Sequence, residues 1–332
     1  MSRPPLISVV TPTKNRLALL TETIESVRAQ TLTDWEHIVV DDGSDDGTET
    51  YVTELARTDP RIRYLRRQGE ASGANVCRNL ALSQARGQFV VFLDSDDLVA
   101  PGCLANRVAV MERNADLDFA TFRTGFFVEA IGDLAKESAR DLLGDDLASF
   151  LYFELPWIIT GPIWRLEALR RIGGFDENLR SWQDVELHVR ALTAGCRYLR
   201  FAEVDHHIRW QFEPTKISIL QRRSPQHLNG AAAIIEILEG HVRSGPGMNW
   251  VRRQALCSLY FFVAERWIEI GRLGDALRCW NAIRRRGLGS VLLHTTGAAL
   301  LMALAARLPV ATLLRKWQGW MRLRTHLEVI SG

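Results

Sequence analysis

The sequence predicts an α/β fold: a mostly parallel sheet flanked by helices, followed by a C-terminal helical region. Three observations predict it. Phe89-Val90-Val91-Phe92-Leu93 is a continuous apolar run, the pattern of a strand buried on both faces of a parallel sheet. Strand-like runs alternate with helical spacing through the first half, the order of successive βα units. From Pro225 onward the character becomes helical. A length of 332 residues suits two domains, here 1–220 and 221–332.

The elements follow in order. Leu6 to Thr11 is a strand stopped by Pro12, and Leu17 to Gln30 is a helix with Leu20, Ile24 and Val27 on one face. Trp35 to Val40 is the second strand and Ile62 to Leu65 the third. Ala74 to Ala85 is a helix, the strand at 88–93 follows, and Pro101 to Arg113 is the next helix. Asp118 to Phe122 and Gly125 to Glu129 read as a strand pair at a sheet edge. Arg165 opens a helix that Gly173-Gly174 closes. Another runs from Ser181 to about Thr193, and Cys196 to Val204 is the last strand. Helices at Gly230–His241, Trp250–Ile270 and Ala276–Arg286 complete the chain.

The chemistry gathers at strand ends. Asp94, Asp96 and Asp97 close the apolar run, where open α/β sheets bind ligands. Three such close carboxylates repel unless a cation sits among them, and a hard divalent ion takes carboxylate oxygens and shares itself with phosphates. The alternative, capping of the helix after Pro101, needs fewer acids. Asp41-Asp42-Gly43-Ser44-Asp45-Asp46-Gly47-Thr48 ends the second strand. It reads either as a contact to the base or ribose of a nucleotide or as an acid-rich turn with Asp46 or Thr48 as N-cap. Neither G-x-G-x-x-G nor G-x-x-x-x-G-K-[ST] occurs, which disfavours dinucleotide and P-loop sites. Arg78, in the first half of its helix, meets a phosphate or pairs as a helix charge. Of His206 and His207, at most one is a third metal ligand, because neighbours in an extended chain point to opposite sides. A polar strand end is the other reading.

Composition bounds the rest. Five single cysteines without a C-x-x-C pair suit a reducing, cytoplasmic compartment and exclude a disulfide scaffold. Residues 241–332 hold 14 Lys and Arg against 4 Asp and Glu, a balance of +10, which leaves −8 for the rest of a chain whose net charge is +2. The basic rear lacks a nucleic-acid motif. With Trp317 and Trp320 among Arg315, Lys316, Arg322 and Arg324 it suits an anionic membrane surface, hence peripheral placement on the inner face of a membrane. A packed bundle with a basic exterior is the alternative.

These motifs, taken together, resemble the family-2 glycosyltransferases. The carriers are Val9-Val10-Thr11-Pro12-Thr13-Lys14-Asn15-Arg16, the Val40–Thr48 stretch, Arg78-Asn79, Phe92-Leu93-Asp94-Ser95-Asp96-Asp97, Gly173-Gly174-Phe175-Asp176-Glu177 and Gln183-Asp184. They cover about residues 5–200 in the family's order. The resemblance implies a Rossmann-like GT-A fold and inverting transfer of a sugar from a nucleotide-diphosphate sugar to a glycan or glycolipid hydroxyl in cell-envelope synthesis. It implies that Thr11, Thr13, Asp41 and Asp42 line the nucleoside pocket and that Arg78 lies near the donor. Asp94 and Asp96 form the D-x-D pattern for ribose and for Mn²⁺ or Mg²⁺, with Asp97 as an alternative ligand. Asp184 matches the catalytic base. Gln183 replaces the acid the family commonly places before that base. Trp182 stacks on an acceptor sugar or belongs to the core. The Q-x-x-R-W motif of processive synthases lacks its first element around Arg209-Trp210, which implies addition of one or a few sugars. Phe212 to Ser218, with Lys216, closes over the diphosphate or is a surface loop. Two other classes stay open: a sugar nucleotidyltransferase, and a non-catalytic binder or scaffold of the same fold.

Overall fold

The computed structural model describes residues 3–70, 72–134, 137, 144–210, 224–310 and 312–319. They form two compact units interleaved along the chain. The first takes residues 1–138, 157–178 and 194–211; the second takes 139–156, 179–193 and 212–332.

The first unit is built on one sheet of eight strands. Its strands are β1 (Ile7–Thr13), β2 (Trp35–Asp41), β3 (Ile62–Arg66), β4 (Phe89–Phe92), β5 (Leu98–Val99), β6 (Phe119–Phe127), β7 (Pro162–Arg165) and β8 (Tyr198–Arg209). The order is β3-β2-β1-β4-β7-β6-β8-β5. β3, β2, β1 and β4 are parallel throughout, as expected of buried apolar runs joined by helices. β7 then pairs antiparallel with both β4 and β6, and β5 with β8, so the sheet as a whole is mixed. Helices α1 (Leu17–Arg28), α2 (Thr48–Thr58), α3 (Ala74–Gln84), α4 (Cys103–Arg113) and, after β7, α6 (Leu166–Arg171) carry the connections. Leu20, Ile24 and Val27 of α1 are fully buried with Val9, Val39 and Val91. That stripe recurs every three to four residues and is the face the helix turns to the sheet.

Two expectations change here. The strand pair at 118–129 is one nine-residue strand, β6, and it is interior, between β7 and β8. Its residues pair continuously with β8, and the register shifts at Phe122/Arg123 and Arg123/Thr124. The extra residues lie on β8, while on β6 the polar Arg123 and Thr124 between apolar runs make one strand look like two in sequence. β8 also runs past Val204 to Arg209, so Asp205, His206 and His207 lie within a strand.

The second unit is helical. It holds α5 (Asp146–Leu151), α7 (Gln183–Thr193), α8 (Pro225–Ser244), α9 (Trp250–Glu269), α10 (Leu273–Arg285) and α11 (Val291–Ala305). Ser224 caps α8, Asn249 caps α9 and Ser290 caps α11, each accepting from the backbone N–H three residues on. Phe261 of α9 and Trp280 of α10 pack edge to face at 5.3 Å, and Trp280 donates to the carbonyl of His294 on α11. Trp317 joins this core. Its ring lies 4.6 Å from that of Phe261 and its Nε1 donates to Thr296. Trp317 is therefore a bundle residue, and the interfacial reading loses that anchor. Trp320, Arg322, Arg324 and the stretch Phe212–Ser218 lie outside the described residues. No helix among the described residues is long and apolar enough to cross a membrane.

Candidate active site

β1 and β4 are neighbours, yet the chain leaves β1 toward β2 and reaches β4 only after β3. Here the strand order reverses, the place where open α/β sheets bind ligands outside the carboxyl ends of their strands. Thr11 and Thr13 lie at the end of β1, Asp41 ends β2, and Asp94 and Asp96 follow β4. Arg78 lies on α3. Five expected residues thus lie at or beside the carboxyl ends of β1, β2 and β4, and Arg78 reaches them through Asp94.

Each plays a distinct part. Asp41 is fully buried. One carboxylate oxygen accepts from the Ser44 N–H at 2.8 Å and hydroxyl at 2.6 Å, the other from the Tyr64 hydroxyl at 2.8 Å. It builds the turn. Asp42 accepts from Arg67 Nε and, at 3.2 Å, from the Gly73 N–H. Thr11 is buried, its hydroxyl 2.9 Å from His37 Nε2. Burial pulls the His37 pKa down to about 3, so that ring is neutral. The Thr13 hydroxyl is buried without a hydrogen-bond partner among the described residues, a state that a bound polar group would relieve.

Arg78 Nη2 donates to Asp94 Oδ1 at 2.6 Å, and its guanidinium carbon stands 5.3 Å from the centre of the Phe175 ring. Phe175 in turn meets Phe92 edge to face at 5.0 Å. Arg16 Nη1 donates to Asp96 Oδ2 at 2.7 Å. Asp97 turns inward. It is 3% exposed and accepts from the Thr160 hydroxyl at 3.3 Å and the Arg209 N–H at 3.4 Å. Burial, and then the charges of Asp94 and Asp96, raise its pKa well above the carboxylate range. The three acids therefore do not form one cluster. Nor do they cap the following helix, whose N-cap is Gly102 without a side-chain bond.

The histidines stay apart as well. His206 Nδ1 lies 2.9 Å from Asp205 and 2.9 Å from Arg107 Nη2, and its Nε2 lies 2.9 Å from the Thr124 hydroxyl. Burial lowers its pKa to about 4. The His207 Nδ1 is buried without a partner among the described residues. Among those residues no group of three His, Cys, Asp or Glu is placed to hold a metal. The donor set still fits a divalent ion. Asp94 and Asp96 offer hard oxygens, and Mg²⁺-type sites use one or two carboxylates plus substrate phosphates rather than a protein cage.

Loops hold the rim in place. The Asn15 N–H donates to Ser44 Oγ at 2.9 Å, the Asp45 N–H to Asn15 Oδ1 at 2.9 Å, and the Leu17 N–H to Asp46 Oδ2 at 2.9 Å. Asn15 takes a left-handed φ of 51° to do so, as asparagine tolerates. On the other side Asn79 donates to the Phe175 carbonyl at 2.8 Å and accepts from the Phe175 N–H at 2.8 Å. Gly174 permits this, because a Cβ there would sit 2.7 Å from Asn79 Oδ1. Arg67 and Tyr64 were not singled out from sequence. Arg67 directly follows β3, where the strand-end rule that marked Asp42 and Asp94 also applies, whereas Tyr64 is the middle residue of that strand.

Asp184 belongs to the second unit, in the first turn of α7. It lines a cavity of about 520 Å³ with Phe153, Trp182, His227, Phe262 and Arg266. Trp182 lies 4.6 Å from Phe153, and both have left-handed φ, 56° and 63°. Such a conformation costs a bulky residue about 1–3 kcal/mol and is found where a site needs it. Glu186, two residues on, is buried and accepts from Arg190 at 2.7 Å and lies 2.8 Å from His241 Nε2, which fixes α7 against α8.

Two family models match the chain. Glycosyl transferase family 2 covers residues 8–164, and glycosyl transferase family group 2 covers residues 89–322. The chain belongs to the family-2 glycosyltransferases. It is 38% identical over 133 residues to the GalNAc(5)-diNAcBac-PP-undecaprenol beta-1,3-glucosyltransferase of Campylobacter jejuni. That match covers 40% of this chain and 42% of the relative, so the chain spans less than half the length of that curated protein. S. aureus TarS 1–349 in complex with UDP superposes with a TM-score of 0.63 at 20% identity, over 90% of this chain and 87% of that one. The mannosyltransferase PcManGT from Pyrobaculum calidifontis, in complex with GDP-Man and Mn²⁺, gives 0.55 at 20% identity, over 99% and 88%. At such identities these two establish the shared GT-A fold.

Proposed function

We propose that this glycosyltransferase moves a sugar from a nucleotide-diphosphate sugar to a hydroxyl of a cell-envelope glycan or glycolipid, with inversion. The observation that carries it is the crevice at the switch between β1 and β4, where Asp42, Asp94 and Asp96 meet Arg16, Arg67 and Arg78. Paired acids and arginines on one rim suit a ligand with a polar base, a ribose and a diphosphate. Asp42 takes the base, the buried Thr13 hydroxyl takes a nucleoside oxygen, and Asp94 takes the ribose or the ion. Arg16 and Arg78 face the charge that develops on the leaving diphosphate. A Mn²⁺ or Mg²⁺ ion, held by Asp94 and Asp96, would supply Lewis-acid neutralisation of that charge. Asp184 accepts the proton of the acceptor hydroxyl as its oxygen attacks the anomeric carbon and the bond to the diphosphate breaks. The envelope assignment draws on the Campylobacter relative, whose name places its acceptor on undecaprenol diphosphate.

Peripheral membrane placement belongs to the same reading. Val291, Leu292, Met302, Leu308 and Leu313 are exposed apolar residues, and Arg307, Arg315 and Lys316 stand among them in sequence. Sedimentation with anionic and neutral vesicles tests it: salt-sensitive binding to anionic vesicles alone is expected, and equal binding to both overturns it.

The test of the activity is thermal shift with UDP-glucose, UDP-N-acetylglucosamine and GDP-mannose, with and without Mn²⁺, followed by assay of nucleoside diphosphate release. A stabilising donor that is turned over with release of nucleoside diphosphate is expected. Pyrophosphate exchange instead would make the chain a nucleotidyltransferase. Binding without turnover would make it a non-catalytic binder.

A further inference from the structure

The cavity that holds Asp184 has a neighbour in the same unit. A second cavity, of about 510 Å³, shares Phe153 and Phe262 with the first. The two rings lie 6.4 Å apart and 20° from parallel, so each cavity meets the same aromatic wall. Ser258, Glu265, Arg315 and Gln318 line the second cavity beyond it. Aromatic surface beside a few convergent polar side chains is the make-up of a small-molecule site, and a sugar ring offers the matching pair, a C–H face and a rim of hydroxyls. Burial raises the Glu265 pKa to about 7, and Gln318 Nε2 donates to it at 3.4 Å. A carboxyl near half-protonation both donates to and accepts from hydroxyls.

The backbone gives independent support. Five non-glycine residues among those described have positive φ, and Phe153, Leu155 and Trp182 are three of them. All three line the Asp184 cavity, and Phe153 lines both. Strain in bulky residues persists where the surroundings over-determine it, and it marks functional sites.

We propose that the two cavities are consecutive acceptor subsites. The sugar that offers its hydroxyl to Asp184 occupies the first, and the next sugar of the same glycan occupies the second. The acceptor class is therefore an oligosaccharide of at least two units. A hydrocarbon tail is the poorer occupant of the second cavity, because it would cut Arg315 and the Glu265–Gln318 pair off from water. The proposal rests on the glycosyl-transfer reading above.

The experiment uses full-length protein with UDP on an array of immobilised mono- to tetrasaccharides of glucose, galactose, mannose and N-acetylhexosamines. Retention on at least one oligosaccharide, tenfold or more above its own terminal monosaccharide, is expected. Ser258→Trp, which fills the second cavity, should reduce that signal to the monosaccharide level. Glu265→Gln keeps the shape and should lower it about threefold to tenfold, which covers the case in which the tryptophan variant fails to fold. Neither variant should alter UDP affinity by calorimetry. Equal retention of mono- and oligosaccharides overturns the proposal. So does undiminished retention in both variants, or no retained glycan at all while UDP still binds. Failure of the wild type to bind either UDP or GDP would instead overturn the glycosyl-transfer reading itself.

Discussion

Arg78 and Asp94 meet at 2.6 Å with their burial reversed: the cation is 4% exposed and the acid 39%. The guanidinium is held inside, beside Phe175, and the carboxylate it binds faces out. It is anchored before any ligand arrives, so little rotamer entropy remains to be lost on binding.

The first expected outcome concerns that pair. Arg78→Lys keeps the charge but loses the planar guanidinium over Phe175 and the fixed direction of the Nη2 bond. Donor affinity should fall about tenfold, the worth of one charge-assisted hydrogen bond. Because Asp94 is solvated, the melting point should shift little, by the equivalent of about 1 kcal/mol or less. Calorimetry with donor and a thermal melt on the same sample separate the two effects. A large loss of stability with unchanged donor affinity would make Arg78 a structural residue.

Much of this was legible in sequence, and the reasons are physical. A strand buried on both faces is largely apolar, so β4 stands out, with the apolar stretches of β1 and β2, and the acids that end β2 and follow β4 mark the strand ends where ligands bind. What was not legible is which way a side chain turns. Asp94, Asp96 and Asp97 look alike in sequence, yet Asp97 accepts bonds from Thr160 and Arg209, distant in the chain. Arg16 meets Asp96 across 80 positions. The polar Arg123 and Thr124 in mid-strand hid the length of β6. The helical unit was read as starting after residue 220, and nothing in local pattern tells that residues 139–156 and 179–193 join it.

Gly174 gives a test of the loop that carries Phe175. Its φ is +64° and a Cβ would sit 2.7 Å from Asn79 Oδ1. Gly174→Ala should therefore destabilise by about 1–3 kcal/mol, the cost of a strained left-handed residue. Donor affinity should fall with it, because Phe175 backs Arg78. A denaturant melt with donor calorimetry reads both, and an unchanged midpoint would count against the contact.

Glu186 sets an acid limit for the helical unit. Burial alone would raise its pKa, but hydrogen bonds from Arg190 and His241 outweigh that and hold it at about 2, below the usual 4.5. The folded value is depressed, so the stabilisation is fully present above pH 4.5 and is lost as pH falls toward 2. It amounts to about 3–4 kcal/mol at neutral pH, since each tenfold change in proton affinity is worth on the order of 1.4 kcal/mol. Glu186→Gln should lower stability at pH 7 and lose that difference near pH 2. Urea melts across this range check it. A parallel offset at every pH would mean that shape, not charge, is what Glu186 contributes.

The last expected outcome separates the two sides of the reaction. Asp184→Asn keeps the shape at the head of α7 and removes the basicity. If Asp184 takes the acceptor proton, transfer should fall by about two to four orders of magnitude, the usual worth of a positioned base. Donor and metal affinity should stay near wild type, because the groups proposed to hold the donor lie at the strand ends of the first unit. Asp96→Asn should do the reverse. It removes a hard oxygen from the pair proposed to hold the ion and leaves Arg16 facing an amide, so Mn²⁺-dependent donor affinity should weaken first. Both variants are compared by calorimetry with donor and Mn²⁺ and by transfer to the acceptor glycan. Near-normal transfer by Asp184→Asn would sink the assignment; Glu186, two positions on, is a poor substitute because it is already bound to Arg190 and His241. Loss of donor binding in the same variant would move Asp184 to the donor site. Unchanged Mn²⁺ dependence in Asp96→Asn would leave the ion, if one is used, to Asp94 and the phosphates alone.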